Sequence, residues 1–164
     1  MVPQNTIPLV KSARIYCVFF LLVASVRPTV AQVVLDNTLS NGGTLPGPNF
    51  NIPAELGKTV GVNLFHSFHE FNLQTGESVA FTGPDRIQNI LSRVTGGNES
   101  YIDGLIESKI HGANLYLLNP NGFIFGENSQ VSVDGSFTVS THEGIRFGEG
   151  QFNAVDPDKS VLIV

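Results

Sequence analysis

Three groupings of side chains in this 164-residue chain have types and spacings that bear on chemistry. His66 and His69 stand three apart with Glu70 beside the second, in the stretch His-Ser-Phe-His-Glu-Phe. On a helix the two imidazoles would share a face and could hold a metal ion, whereas in a strand residues three apart point to opposite faces. The zinc-protease signature needs histidines four apart with the glutamate directly after the first, and neither condition is met. Carboxylates form the second grouping: Asp156 with Asp158, and the series Glu99, Asp103 and Glu107. Two carboxylates at a fixed separation are what polysaccharide cleavage requires. Neither set comes with an arginine or histidine in an evident constellation, and fourteen acids in this length produce such spacings by chance. Nucleophile motifs, a phosphate-cradling glycine loop and paired metal-binding cysteines are absent. The expectation is a non-enzymatic chain with no catalytic residue, metal, cofactor or small-molecule ligand.

The third grouping acts through the backbone. Asn119-Pro120-Asn121-Gly122 stands between the apolar runs Ala113 to Leu118 and Phe123 to Phe125. Proline fixes φ near the turn value, the first asparagine can bond the backbone ahead, and the glycine accepts a positive φ. Turn physics alone fits a hairpin. Both flanks, however, are continuous apolar runs, which suits strands covered on both faces better than an exposed ribbon.

The elements that would position these residues are short. All seventeen glycines fall after residue 31, singly or in pairs beside asparagines, as in Asn41-Gly42-Gly43 and Thr95-Gly96-Gly97-Asn98. Between them lie brief apolar runs such as Val60 to Phe65, Ser78 to Phe81, Val131 to Val133 and Phe137 to Val139, the pattern of an all-β chain. Two segments dissent. Ile87, Ile90, Leu91 and Val94 recur at helical spacing with Gly96 where a helix would end, and Ile102, Leu105, Ile106 and Ile110 give a poorer stripe interrupted by Gly104. Gln32 to Lys58 is broken by glycines and prolines and reads as an entry segment or cap, with regular structure only over Gln32 to Leu35. Val161 to Val164 is strand-like with no polar residue after it, which suggests an exposed edge and the front of a longer protein.

Residues 1–31 are best read apart. Lys11 and Arg14 precede an apolar stretch from Ile15 to Ala24 that is too short to span a bilayer, and Thr29-Val30-Ala31 offers a cleavage site before Gln32. That is a signal peptide, with a membrane anchor as the alternative. Its removal leaves six basic residues against fourteen acids, a formal charge of −8 in place of −5. So acidic a chain has no footprint for nucleic acid or an anionic membrane. The single Cys17 lies in the leader, so the exported portion has no disulfide and must bury a core; its roughly 130 residues suffice for one domain.

An ordered series of motifs then carries a resemblance. Arg93-Val94-Thr95-Gly96-Gly97, Ile102-Asp103-Gly104, Ala113 to Gly122, Phe125-Gly126, Gly135-Ser136-Phe137 and Ser140-Thr141 closely resemble the amino-terminal secretion domain of two-partner secretion exoproteins, the filamentous haemagglutinin family. The likeness runs from about Val33 to the end. It implies an all-β fold, a right-handed parallel β-helix with an amino-terminal β cap and short extra-helical strands, occupying residues 32–164 and continuing beyond them. It makes Ile87 to Val94 a strand, against its periodicity.

The same resemblance implies a function. Such chains cross the inner membrane through the Sec machinery, lose the leader to signal peptidase, and cross the periplasm unfolded. They are then recognised by the periplasmic POTRA domains of an outer-membrane β-barrel transporter. The domain would be the address label of a large exoprotein secreted from, or held on, a Gram-negative cell, and would template the β-helix behind it. Asn119, Pro120, Asn121 and Gly122 match the family's turn, which is tied to secretion and folding. A second Asn-Pro-Asn-Leu motif, found in some members, has no counterpart here. The alternative is a self-contained β-helix adhesin that binds a glycan or host surface.

Overall fold

A computed structural model of the chain describes residues 33–163; the segment read as a signal peptide, residues 1–31, lies outside the described residues. The fold is a β-solenoid of about four turns built from parallel sheets, as the resemblance implies. Strands β1 (Val33–Leu35) and β2 (Gly43–Thr44) form the cap. The first coil contains β3 (Asn49–Pro53), β4 (Lys58–Val60) and β5 (Asn63–Phe71), and the second β6 (Ser78–Thr82), β7 (Asn89–Val94) and β8 (Ser100–Ile102). The third contains β9 (Leu105–Ser108), β10 (Asn114–Leu118) and β11 (Phe123–Phe125), and the fourth β12 (Gln130–Ser132) and β13 (Phe137–Ser140). A hairpin, β14 (Gly144–Phe147) and β15 (Gly150–Asn153), follows outside the stack.

The second and third coils each visit three parallel sheets in turn. Sheet one stacks β3, β6, β9 and β12; sheet two stacks β5, β7, β10 and β13; sheet three pairs β8 with β11. In the first coil, Leu73 takes the third side through a single parallel bridge to Ile102. One end of sheet two is closed, because the cap strand β1 and the first-coil strand β4 both pair antiparallel with β5.

Register places like residues in columns. Phe50, Val79, Ile106 and Val131 stack in sheet one, and Leu73, Ile102 and Phe125 in sheet three. The interior is a continuous apolar core of such columns, including Leu64, Phe68, Ile90, Val94 and Leu115. Each fully buried side chain of this kind stabilises the fold by about 1.5–3 kcal/mol.

Residues 89–94 are strand, as the resemblance implies and against their helical spacing: Ile90 and Val94 join the interior, while Leu91 lies on the outer face, where it packs with Phe65 and Phe152. Burial on both faces removes the alternation that marks a strand. Ile102 to Ile110 likewise divides into β8 and β9. Asn49–Pro53 is a first-coil strand, with Phe50 and Ile52 buried and their neighbours facing out. The run from Val60 to Phe65 is broken between β4 and β5 at Gly61, whose φ is +59°. Val161 makes one antiparallel bridge to Gln151, and Leu162 packs against the cluster of Phe65, Leu91 and Phe152; Val164 lies outside the described residues.

Candidate functional site

The Asn-Pro-Asn-Gly turn is a corner. It joins β10 in sheet two to β11 in sheet three, and these strands never pair, so the hairpin reading is set aside. The Gly122 amide donates to the Asn119 carbonyl at 3.0 Å and closes the turn, with Gly122 at φ +111°. Asn119 is fully buried. Its Nδ2 donates to the Asn98 carbonyl (3.1 Å) and Ser100 Oγ (3.0 Å), and its Oδ1 accepts from the Asn121 amide (2.9 Å). Asn121 Nδ2 reaches the Gly96 carbonyl at 2.8 Å. Both asparagines therefore satisfy the backbone of the second coil's corner, which no strand ladder reaches. Pro120 occupies the half-buried outside of the bend.

The other motifs serve neighbouring corners. Asp103 accepts from Thr75 Oγ1 and from the Asn128 amide (2.8 Å), so one carboxylate ties together chain from three coils. The Thr75 hydroxyl and the Asn128 amide hold its carboxyl below the usual range. A Cβ on Gly126 would run into that carboxylate, and one on Gly104 would run into the Glu77 carbonyl.

Between sheets one and two, sequence reasoning missed a ladder. Asn89 Nδ2 donates to Asn63 Oδ1 (2.9 Å), Asn114 Nδ2 to Asn89 Oδ1 (3.0 Å), and the Ser136 amide to Asn114 Oδ1 (2.9 Å). The signal was available: Asn63 pairs with Asn89 and Asn89 with Asn114, recurrences of 26 and 25 residues.

Arg93 opens the motif series, and nothing in its sequence neighbourhood marks it as buried. It is 1% exposed on the outer face of sheet two. Its Nε donates to Ser67 Oγ (2.7 Å), Nη2 to Thr38 Oγ1 (2.8 Å), and Nη1 to Ser160 Oγ (2.6 Å) and the Asn153 carbonyl. The guanidinium also lies 4.5 Å from the centre of the Phe152 ring, a cation–π contact. Burial lowers its pKa to about 10, against the opposing charges of Asp36 and Asp158, so it stays protonated. Burial pushes the Asp36 carboxyl up, but hydrogen bonds from Ser67, Thr38 and Thr95 outweigh it and hold the group below its ordinary value.

Apart from bonds inside a turn, these contacts join coil to coil, coil to cap or coil to the segment that follows the fourth coil, and the motifs they involve extend along the whole stack. A family model described as "TPS secretion domain" matches residues 31–164. The chain belongs to the TPS secretion-domain family. The heme/hemopexin-binding protein of Haemophilus influenzae is 34% identical over 73 residues, which is 44% of this chain and 8% of that protein. The chain thus corresponds to a small part of that relative's length. No solved structure matches.

In the TPS domain three of the candidate carboxylates are tied into the fold. Asp156 pairs with Lys159 (2.8 Å) and Glu107 with Lys109 (2.6 Å), while Asp103 is committed to its corner. His66 and His69 diverge on β5: His66 is fully buried and His69 exposed. Among the described residues no three His, Cys, Asp or Glu side chains come together as a metal site.

His66 has a physical consequence. It lies beside Phe81 and Phe68, with ring centroids 5.7 and 6.2 Å away, and neither ring nitrogen has a hydrogen-bond partner. Burial lowers its pKa to about 4; the nearby Leu56 backbone opposes the shift without reaching hydrogen-bond geometry. The unfolded chain therefore takes up this proton near pH 6.5, before the folded one does. The His66 contribution to stability is constant above pH 6.5 and falls by about 1.4 kcal/mol per pH unit below it, about 3 kcal/mol in all by pH 4. Urea unfolding at a series of pH values should show this slope in the wild type and its loss in His66→Leu.

Proposed function

We propose that this TPS domain is the export address and folding nucleus of a longer exoprotein, read by the POTRA domains of an outer-membrane barrel transporter and non-enzymatic in itself. Residues 32–164 form the domain behind a cleaved leader, and the Asn119–Gly122 corner is the motif on which secretion depends.

The asymmetry of the two ends carries this reading. At one end β1 of the cap and β4 of the first coil block sheet two with antiparallel pairing. At the other, among the described residues, β11, β12 and β13 are the last strands of their sheets and each leaves a parallel edge free. Their side chains continue the core columns into solvent. Val131 is 44% exposed above Ile106 (0%), Val139 36% above Leu117 (2%), and Phe125 42% above Ile102 (0%). A following coil would cover these positions and pair all three edges. Such an end supports growth in one direction only, and each added coil contributes about 25 cal/mol per Å² of apolar area buried. Chain that folds in this way outside the cell is hard to draw back through a pore.

Placing aspartate at Val131 and Val139 tests the nucleus. The change should cost the isolated domain about 1 kcal/mol, because both sites already face water. It should sharply reduce the protease-resistant yield of a longer exoprotein carrying further coils. Wild-type yield of folded passenger from the double variant would refute the templating role.

A further inference from the structure

Residues 141–163 leave the fourth coil after Ser140 and run back across the outer face of sheet two to the cap. Phe147 and Phe152 of the hairpin stand 5.6 and 5.1 Å from Phe65 in the first coil, ring centre to ring centre. Ser160 and Leu162 reach Thr38 and Lys58, where they line one cleft. The chain thus reverses the direction in which the coils climb.

The way this segment is held differs from everything beneath it. The coils are laddered to one another by backbone hydrogen bonds along two four-strand parallel stacks. The hairpin forms a two-stranded sheet of its own. The segment's backbone bonds close on themselves: Gln151 and Val161 exchange bonds at 2.9 and 2.8 Å, and the Ala154 amide donates to Glu143 at 2.8 Å. Among the described residues, none joins the backbone of 141–163 to the backbone of a coil. What holds it down is side-chain packing around buried Phe65, Leu91 and Phe152, against which Ile145, Phe147 and Leu162 of the segment and Leu39, Val60 and Tyr116 beneath it also pack, together with the Arg93 guanidinium.

We infer that residues 141–163 are a strap that opens and closes over sheet two as a unit separate from the coils, with Arg93 as its catch. The guanidinium can serve because its acceptors come from both sides of the joint. Ser67 and Thr38 belong to the first coil and the cap; Asn153 and Ser160 belong to the strap. Lifting the strap returns the charge to water, where it needs no protein partner, and leaves every coil ladder intact. Segments tied down by side chains alone open at lower free energy than laddered strands. The open state uncovers Phe65, Leu91 and Tyr116 beside a cation. The closed state fastens the end of the described chain to the cap. This inference does not depend on the export role.

Native-state hydrogen exchange on the full chain tests it. The amides of Gln151, Ala154 and Val161 should exchange at least about tenfold faster than those of Leu115 and Leu117 in β10, through an opening that leaves the latter protected. Arg93→Met should accelerate the strap amides by roughly a further tenfold and leave the β10 amides unchanged. Ser160→Ala, which removes one acceptor and leaves the coils untouched, should give the same selectivity at about fivefold should Arg93→Met fail to fold. The strap is refuted if strap and coil amides share one opening rate in the wild type. It is equally refuted if the variant that folds accelerates both sets alike or leaves the strap amides unchanged.

Discussion

Asn119→Ala is expected to destabilise the domain by about 3 kcal/mol, measured by urea unfolding at pH 7.5. The size follows from what the amide satisfies. With the side chain gone, the Asn98 carbonyl, the Ser100 hydroxyl and the Asn121 amide all lose a partner, and both Asn119 and Ser100 are fully buried. Asn121→Ala removes a bond to the Gly96 carbonyl from an exposed residue and should cost only about 1 kcal/mol. Gly122→Val acts differently, since φ +111° is a conformation that a β-branched residue avoids. Under the proposed role all three lower export, in the same order as their effect on stability for the two asparagines. Export of Asn119→Ala at the wild-type level, with its unfolding energy reduced as stated, would separate the motif's structural part from secretion and remove the second.

Adjacent glycines give the other large contrast. Gly96→Ala should cost about 3 kcal/mol, and Gly97→Ala should change stability by no more than about 0.5 kcal/mol. A Cβ at Gly96 would stand under 3.0 Å from the His69 carbonyl oxygen, backbone against backbone, with no flexible side chain to yield. At Gly97 a Cβ would meet nothing within 4 Å. Neither glycine has a positive φ, so the difference is one of space alone. The Asn121 bond to the Gly96 carbonyl explains why the space is missing: the first three coils are drawn together at this corner. Equal effects of the two substitutions on the thermal midpoint would show that coil spacing there is looser than described.

The fold was legible through motifs more than through periodicity. Asn119 to Gly122 identified a corner, and the ordered series from Arg93 to Thr141 supplied the parallel solenoid that spacing could not. Ile87, Ile90, Leu91 and Val94 show why. A helix and a strand buried on both faces both lack a clean two-residue alternation, and here the outer face is buried only because the hairpin folds over it from some sixty residues away. Arg93 was hidden for the same reason. A charge in a strand reads as a solvent face unless its partners are known, and those partners lie at positions 38, 67, 153 and 160. Asn49–Pro53 was masked by its prolines, although Pro53 ends the strand rather than interrupting it. The asparagine ladder was within reach of a search for recurrence near 25 residues.

The role of address label is open to one direct measurement. Residues 1–164, fused ahead of a reporter, are expressed in Gram-negative cells with and without the cognate outer-membrane barrel, and reporter activity is assayed outside the cell. The account predicts export only when the barrel is present, abolished when its POTRA domains are deleted. Reporter that reaches the outside equally well without the barrel, or stays in the periplasm with it, would contradict the account.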